Sequence, residues 1–192
     1  MNFRKSTYDD VDKILKIIEK AKIELKKMGL NQWQNGYPNR KVIENDVKKR
    51  ISYVLEDTGE NDSQKSFEKK IISGKIIGTV VLSPEKESSY SKIEGKWITD
   101  DDYVVIHRLA VDTDIKNKGI ATKILEFSEK ICLEQKILSI KTDTHENNEP
   151  MKKLLAKNGF RYCGVIYLND GIEAGEKRIA YEKIIKIPHK LL

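Results

Sequence analysis

Cysteine is scarce in this sequence, with Cys132 and Cys163 the only two among 192 residues. Two thiols are too few for a disulfide framework or a four-ligand zinc site. Long apolar runs are missing too, since no stretch approaches the ~18 residues that a membrane-spanning helix needs. The first ten residues also lack the apolar segment of a secretory signal. We therefore expect a cytoplasmic protein with two reduced thiols, no metal ion and no membrane association.

A strong excess of one charge sign is also lacking. The chain has 36 Lys and Arg residues against 30 Asp and Glu residues, which gives a net charge of +6. A mildly basic surface attracts anionic ligands. Nucleic-acid binding would instead require clustered basic residues with interleaved aromatic ones, and the lysines here are spread along the chain. The composition predicts no nucleic-acid partner.

Apolar residues make up 39% of the chain and are spaced throughout it. A length of 192 residues predicts one domain at roughly 100–200 residues per domain. Helical spacing of apolar residues predicts a helix over 8–28 and a second over about 41–50. A strand over 51–56 and the apolar run 76–82 predict an antiparallel meander. The polar stretch 57–70 between them is expected to be a turn or excursion.

The second half of the chain alternates strands and helices. The expected elements are a strand over 103–111, a helix over 119 to about 135, a strand over 137–142, a helix opened by Asn148 and stopped by Gly159, and closing strands over 160–168 and 176–186. In the first of these strands, strict alternation puts Val105, His107, Leu109 and Val111 on one face and Val104, Ile106, Arg108 and Ala110 on the other. The predicted fold is a mixed α/β sheet of six or seven strands. It is largely antiparallel, with parallel pairing at its centre and helices on both faces.

A strand that runs through a short turn directly into a helix carries the clearest chemical signal. The turn and first helical turn read Lys116-Asn-Lys-Gly119-Ile-Ala121-Thr122. Gly119 and Ala121 leave room for a ligand to approach the backbone. The free N–H groups of a helix start, together with two lysines, favour an anion such as a diphosphate. Neither the P-loop nor the Rossmann pattern fits, because the glycines that each requires are missing.

Two motifs resemble the GNAT superfamily of acetyl-CoA-dependent N-acyltransferases. The family's first motif is Gln/Arg-x-x-Gly-x-Gly/Ala after a strand ending in Leu-x-Val, and this chain has Leu109-Ala-Val111 and then Lys116-x-x-Gly119-x-Ala121. The family's second motif is an Asn that opens a helix ending in Lys-x-Gly-Phe, and this chain has Asn148 and then Lys157-Asn-Gly159-Phe160. The resemblance is strongest over about 100–168.

The resemblance implies an acyl-CoA N-acyltransferase fold over 1–192. It assigns the N-terminal helices and meander, 1–102, to the acceptor side, 103–168 to the acetyl-CoA-binding core and 169–192 to a closing strand. Backbone groups of the strand end would pair with the pantetheine arm, amides of the helix start would hold the pyrophosphate, and Asn148 would bind the arm from the other side. The implied acetyl-CoA-binding residues are Leu109, Ala110, Val111, Lys116, Asn117, Lys118, Gly119, Ile120, Ala121, Thr122 and Asn148.

The chain departs from the family pattern at two positions. Lys116 replaces the Arg or Gln of the first motif, so it keeps a charge but loses the bidentate fork. Leu155 stands where family members often have a tyrosine that protonates the departing thiolate. The group that protonates the thiolate is therefore not assigned. Tyr162 and Tyr167 are candidates, and water is an alternative.

The reaction implied by the resemblance needs a free amine. An amine with a pKa near 10.4 requires about 4.6 kcal/mol to lose its proton at pH 7. His107 occupies a position that often carries a catalytic glutamate in the family, and an imidazole is suited to taking a proton. We therefore predict His107 as the general base, with a structural histidine as the alternative. Asp143 and His145 have two possible roles: they either line the cleft or cap the end of the preceding strand.

The acceptor is the least defined part of the prediction. Trp33 and Tyr37 lie in the loop that contacts the acceptor in family members, and Tyr90 and Trp97 lie on the long connection 84–102. These aromatic residues are suited to packing a cationic amine, or simply to fixing the loops. The predicted activity is transfer of an acetyl group from acetyl-CoA to an unidentified primary amine. A non-catalytic acyl-CoA-binding sensor or interaction module is the alternative function. The resemblance also makes a homodimer possible, because the family often dimerises.

Overall fold

The described part of the chain forms one mixed sheet with four α-helices. The computed structural model describes residues 1–59, 74–115 and 119–187. Its helices and strands are β1 (Asn2–Lys5), α1 (Val11–Lys27), α2 (Arg40–Lys48), β2 (Ser52–Asp57), β3 (Lys75–Ser83), β4 (Glu94–Gly95), β5 (Tyr103–Val111), α3 (Ile120–Glu134), β6 (Ser139–Thr144), α4 (Glu149–Lys157), β7 (Arg161–Tyr167) and β8 (Lys177–Ile184).

The eight strands follow the order β1-β2-β3-β5-β6-β8-β7-β4. The β5–β6 pair is parallel and every other neighbouring pair is antiparallel. The predicted mixed α/β fold with parallel pairing at its centre is confirmed. The predicted strand count of six or seven was one or two too low, because a strand of two residues such as β4 is too short to show alternation.

Apolar stripes on the helices cover both faces of the sheet. On one face, α1 and α2 pack against β2, β3 and β5 through Ile14, Ile18 and Ile43. On the other face, α3 and α4 pack on the sheet through residues that include Ile124 and Leu155. The predicted helices over 8–28, 41–50 and 119–135 are confirmed within a few residues of their ends. The polar stretch expected at 57–70 lies mostly outside the described residues.

Strand β5 contains a bulge at Arg108. Ala110 pairs with Thr79 and His107 pairs with Val81, so two residues of β5 oppose one residue of β3 between these pairs. Arg108 takes a positive φ of 51°. The extra residue moves the side chains that follow it to the opposite face of the sheet. The bulge sets the geometry of the strand where the GNAT-like motif begins.

The predicted strict alternation along β5 was therefore wrong beyond His107. Leu109 and Val111 pack with the cluster on the α3 face, the same face as Val104 and Ile106. Ala110 packs instead with α1 and α2. A bulge adds a residue without changing the apolar character of a strand, so a reading based on period two does not detect it.

The carboxyl ends of β5 and β6 diverge. Their parallel pairing covers Tyr103–Val105 and Ser139–Lys141, whereas β6 stays paired with β8 as far as Thr144. The bulge in β5 falls just after the pairing ends. A cleft opens between the two strand ends, and α3 begins at its edge.

Within the described ranges, no helix is both long enough and apolar enough to cross a membrane. Cys132 and Cys163 are free thiols and both are buried. Burial raises the pKa of Cys132 to about 12, with Glu129 adding to the effect. This thiol is therefore protonated and unreactive at physiological pH.

Candidate active site

The opening between the ends of β5 and β6, here called the central cleft, has a volume of about 570 Å³. Its floor is the second half of β5. Its walls are the C-terminal half of α1, the loop between α1 and α2, the starts of α3 and α4, and the loop between β7 and β8. Elements from both halves of the chain thus enclose one elongated cavity.

Helix α3 begins at one end of the central cleft. Gly119 caps the helix with a φ of 66°, a left-handed conformation that a Cβ disfavours. A Cβ built there would meet no atom of the described residues within 4 Å. The first N–H groups of a helix have no intrahelical acceptors, and Ala121 adds little bulk to the cleft wall. This end suits an anionic group bound by backbone amides.

The other predicted acetyl-CoA contacts are distributed around this end. Leu109, Ala110, Val111 and Asn148 line the central cleft together with Ala121. Ile120 is buried in the core, so only its backbone is available to a ligand. The hydroxyl of Thr122 accepts a hydrogen bond of 3.4 Å from Asn158 Nδ2. Lys116, Asn117 and Lys118 lie outside the described residues.

Asn148 joins the start of α4 to the loop between α1 and α2. Its side-chain oxygen accepts a hydrogen bond of 3.2 Å from the N–H of Met151, which confirms the predicted helix cap. Its Nδ2 donates to Gln32 Oε1 at 3.4 Å. The amide group is therefore fixed across the cleft from the exposed edge of β5.

His107 lies on the cleft floor and is partly buried. Its Nε2 is 3.7 Å from Glu87 Oε2. Burial, with the charge of Arg108 next to it, lowers the pKa of His107 to about 3. The imidazole is therefore neutral at physiological pH, and it is a weak proton acceptor.

Arg108 connects the bulge to α2 and to the loop before it. Its Nε is 2.8 Å from Asp46 Oδ2 and its Nη2 donates to Asp46 Oδ1 at 2.9 Å. Its Nη1 donates to the phenol oxygen of Tyr37. Burial raises the pKa of Asp46, and Arg108 opposes that effect. Sequence reasoning did not find this role for Arg108, because only the bulge brings the side chain to this face.

Asp143 and Tyr90 form a pair on the opposite wall. The Tyr90 hydroxyl donates a hydrogen bond of 2.8 Å to Asp143 Oδ1. Burial raises the pKa of Asp143 to about 6, while the Tyr90 hydrogen bond and Arg178 act in the other direction. Burial and the adjacent Asp143 raise the pKa of Tyr90 well above its usual value. Trp97 packs on Tyr90 with ring centroids 4.9 Å apart, so both aromatic residues of the long connection stabilise this wall.

Two loops meet over the end of the central cleft that lies away from the start of α3. Trp33 and Tyr37 line it from the α1–α2 loop, and Glu173 lines it from the β7–β8 loop. The N–H of Trp33 donates to Glu173 Oε1 at 2.7 Å. Below them lies Arg178, which is 1% exposed and whose Nη2 is 3.3 Å from the same Glu173 oxygen.

The predicted acid candidates are not brought to the cleft. Tyr162 and Tyr167 are 60% and 45% exposed on β7, and neither lines the central cleft. His145 Nδ1 accepts a hydrogen bond of 3.1 Å from the N–H of Asn147, which is the turn-capping alternative considered for it. Leu155 is fully buried in the core.

The lining of the central cleft is acidic although the protein is basic. Among the described residues that line it, the charged side chains are five carboxylates and two guanidinium groups, and both guanidinium groups are ion-paired. The five carboxylates are those of Glu24, Glu87, Asp143, Asp170 and Glu173. Among the described residues, no group of three or more His, Cys, Asp or Glu side chains is arranged to hold a metal ion.

A mixed sheet with two diverging central parallel strands, and a glycine-initiated helix at the opening, define an acetyltransferase fold of the GNAT type. The chain belongs to the GNAT acetyltransferase family, and residues 30–160 match the family described as Acetyltransferase (GNAT) family. It is similar to a GNAT-family acetyltransferase of Streptococcus agalactiae 2603, with 29% identity, a TM-score of 0.80 and coverage of 97% of this chain and 96% of that one.

Two more distant similarities fit the same assignment. A GNAT-family acetyltransferase of Listeria monocytogenes 4b F2365 is 18% identical, with a TM-score of 0.67 over 96% of this chain and 94% of that one, and it shares the fold. Streptothricin acetyltransferase of Escherichia coli is 27% identical over 116 residues. That match covers 60% of this chain and 58% of the relative's length.

Proposed function

We propose that this protein transfers an acetyl group from acetyl-CoA to a primary amine by direct attack. The observation that carries the proposal is the central cleft, which has an anion-binding helix start at one end and carboxylates and aromatic rings at the other. The donor and the acceptor would therefore approach from opposite ends and meet between the diverging strands.

The donor end suits acetyl-CoA. The backbone of Leu109–Val111, on the edge of β5 beyond its pairing with β6, would pair with the pantetheine arm as an added strand does. The amides at the start of α3 would hold the pyrophosphate, aided by the charges of Lys116 and Lys118. Asn148 would contact the arm from the opposite wall.

The chemistry requires the amine nitrogen to attack the thioester carbon while the carbon–sulfur bond breaks. Releasing the proton from an ammonium group at pH 7 requires about 4.6 kcal/mol. The neutral imidazole of His107 on the cleft floor can accept a hydrogen bond from the amine and orient it. Water supplies the proton for the thiolate, since Tyr162 and Tyr167 do not line the cleft.

The acceptor would be a cationic amine. A cleft whose lining carries a net negative charge concentrates cationic ligands, and the five carboxylates described here outnumber the two guanidinium groups. Trp33 and Tyr37 offer aromatic faces to a cation. The similarity to streptothricin acetyltransferase makes streptothricin the first acceptor to test.

The test combines ligand-induced stabilisation with thiol release. Acetyl-CoA at 100 times its Kd should add about 2.7 kcal/mol of stability, whereas ATP and NAD at the same concentrations should add much less. Thiol release from acetyl-CoA is then followed with streptothricin, spermidine and lysine. Ala121→Glu places bulk and negative charge at the donor end and should abolish both signals. Ala156→Glu, on the exposed side of α4, is the matched control and should keep both.

Two other results would contradict the donor site, and a third would favour the alternative function. Equal stabilisation by all three nucleotides, or unchanged binding by Ala121→Glu, contradicts the donor site. Selective binding of acetyl-CoA without amine-dependent thiol release favours the non-catalytic binder, for which the replacement of a tyrosine by Leu155 is the supporting observation.

A further inference from the structure

We propose that Asp143 is the catalytic residue that takes the proton from the attacking amine, and that Tyr90 is its positioning residue. This inference rests on the proposed amine acetylation. It assigns the proton transfer to a side chain on β6 rather than to His107 on β5.

The first support is the position of Asp143. It lies two residues beyond Lys141, where the pairing of β6 with β5 ends, and it lines the central cleft. Beneath it is an apolar cluster that includes Val105 and Ala180, and the buried ring of Tyr90 belongs to that cluster. The carboxylate therefore lies on the wall of the opening in which donor and acceptor would meet.

The second support is the difference in hydrogen bonding between the two carboxylate oxygens of Asp143. Oδ1 accepts the 2.8 Å hydrogen bond from the Tyr90 hydroxyl. Within the described part of the chain, no group donates a hydrogen bond to Oδ2. A buried phenol with a pKa well above 10 stays protonated, so Tyr90 holds Oδ1 and leaves Oδ2 for the ammonium group.

The third support is the set of charges facing Asp143. Glu87 precedes the turn that carries Tyr90, Glu173 faces Asp143 from the β7–β8 loop, and Arg178 faces it from β8. The two carboxylates add to the effect of burial, and Arg178 and the Tyr90 hydrogen bond oppose it. The resulting pKa of about 6 contrasts with about 3 for His107, which lines the same cleft. Burial thus shifts the pKa values of the two groups in opposite directions, and this favours Asp143 over His107 as the proton acceptor.

An ammonium N–H transfers its proton to Asp143 Oδ2, and the freed lone pair forms a bond to the thioester carbon. The carbon–sulfur bond breaks as the carbonyl re-forms, and the amide nitrogen loses its second proton through water to the departing sulfur. Asp143 then returns its proton to solvent, so ammonium and acetyl-CoA give amide, CoA thiol and one proton.

The kinetic test uses Asp143→Asn and Tyr90→Phe, with Asp101→Asn on an exposed connection as the matched control. With streptothricin or spermidine as acceptor, Asp143→Asn should lower kcat by about 10²–10³-fold while stabilisation by acetyl-CoA is kept. Tyr90→Phe removes a hydrogen bond that favours the carboxylate, so the acidic limb of the kcat/KM profile should move to higher pH. Asp101→Asn should leave both the rate and the profile unchanged.

A second measurement does not depend on the acceptor. In protein labelled with ¹³C at aspartate carboxyl groups, the signal missing from Asp143→Asn should titrate near pH 6 and move upward in Tyr90→Phe. A midpoint at or below the ordinary 3.8, or turnover by Asp143→Asn at the parent rate, overturns the proton-acceptor role alone. A parent protein that binds acetyl-CoA but acetylates no amine overturns the proposed function, and the role of Asp143 with it.

Discussion

The N–H of Trp33 donates a hydrogen bond of 2.7 Å to Glu173 Oε1 across 140 positions of sequence. The same carboxylate oxygen is 3.3 Å from Nη2 of the buried Arg178. One side chain thus joins the loop after α1 to the loop before β8 and compensates a cation inside the protein. Both loops line the end of the central cleft where we propose that the acceptor binds.

Glu173→Gln is expected to weaken acceptor binding selectively. The substitution removes the charge beside Arg178 and loosens the contact with Trp33, so KM for streptothricin or spermidine should rise about tenfold, which corresponds to about 1.4 kcal/mol. KM for acetyl-CoA should not change. Glu126→Gln is the matched control, since Glu126 is exposed on α3 and does not line the cleft. Equal effects of the two substitutions would contradict the assignment.

Asp143→Asn is expected to stabilise the fold at neutral pH. Burial raises the Asp143 pKa from 3.8 to about 6, so the folded state favours the protonated form, and the stability that this form contributes is lost as pH rises through 6. Near pH 7.5 the variant should be more stable by about 1–2 kcal/mol, allowing for partial exposure. The difference should shrink as pH falls toward 4 in urea unfolding. A difference independent of pH would point to packing instead.

Substitutions at Gly119 test whether acetyl-CoA binding requires the backbone conformation of this residue or the space that its missing side chain leaves. A Cβ on Gly119 would meet no atom of the described residues within 4 Å, but the φ of this residue is 66°. A β-branched residue disfavours this conformation, whereas asparagine tolerates it. We expect Gly119→Asn to keep acetyl-CoA affinity within a few-fold and Gly119→Val to lose more than tenfold, as measured by calorimetry. Similar losses for both would mean that the ligand needs the space itself.

Arg4 connects two buried carboxylates near the N-terminus. It donates to Asp10 at 2.7 Å and to Glu56 at 2.6 Å. Burial alone would raise the Asp10 pKa, but hydrogen bonds from Arg4 and Thr7 outweigh it and lower the pKa. The hydrogen bond from Arg4 also lowers the pKa of Glu56. Both carboxylates therefore contribute stability at neutral pH that is lost as pH falls below their ordinary values.

Arg4→Met should reduce the free energy of unfolding by about 1–3 kcal/mol near pH 7, because it leaves carboxylates buried without their partner. The loss should diminish in acid, where the carboxylates are protonated. Arg40→Met removes an exposed ion pair with Asp12 and should have no measurable effect. Denaturant unfolding of both variants at two pH values checks the comparison, and equal losses would contradict it.

Local patterns were sufficient for much of the fold. The bounds of the strand Tyr103–Val111 agree with the structure, and Gly119 and Asn148 start α3 and α4 as predicted. Such features depend on residues a few positions apart, since a helix stripe, a cap or a turn glycine has its cause nearby. The GNAT-like motifs consist of these same local features, and the family assignment followed from them.

The tertiary structure decided which side chains face the cleft and what their chemistry is. The bulge at Arg108 left no periodic signal, and it changed the faces of Leu109 and Ala110. The Tyr90–Asp143 hydrogen bond spans 53 positions, so no local pattern contains it. The pKa values of His107 and Asp143 moved in opposite directions because burial disfavours whichever form is charged. The sequence determines the residue types at these positions, but burial and neighbouring charges exist only after distant segments have packed together.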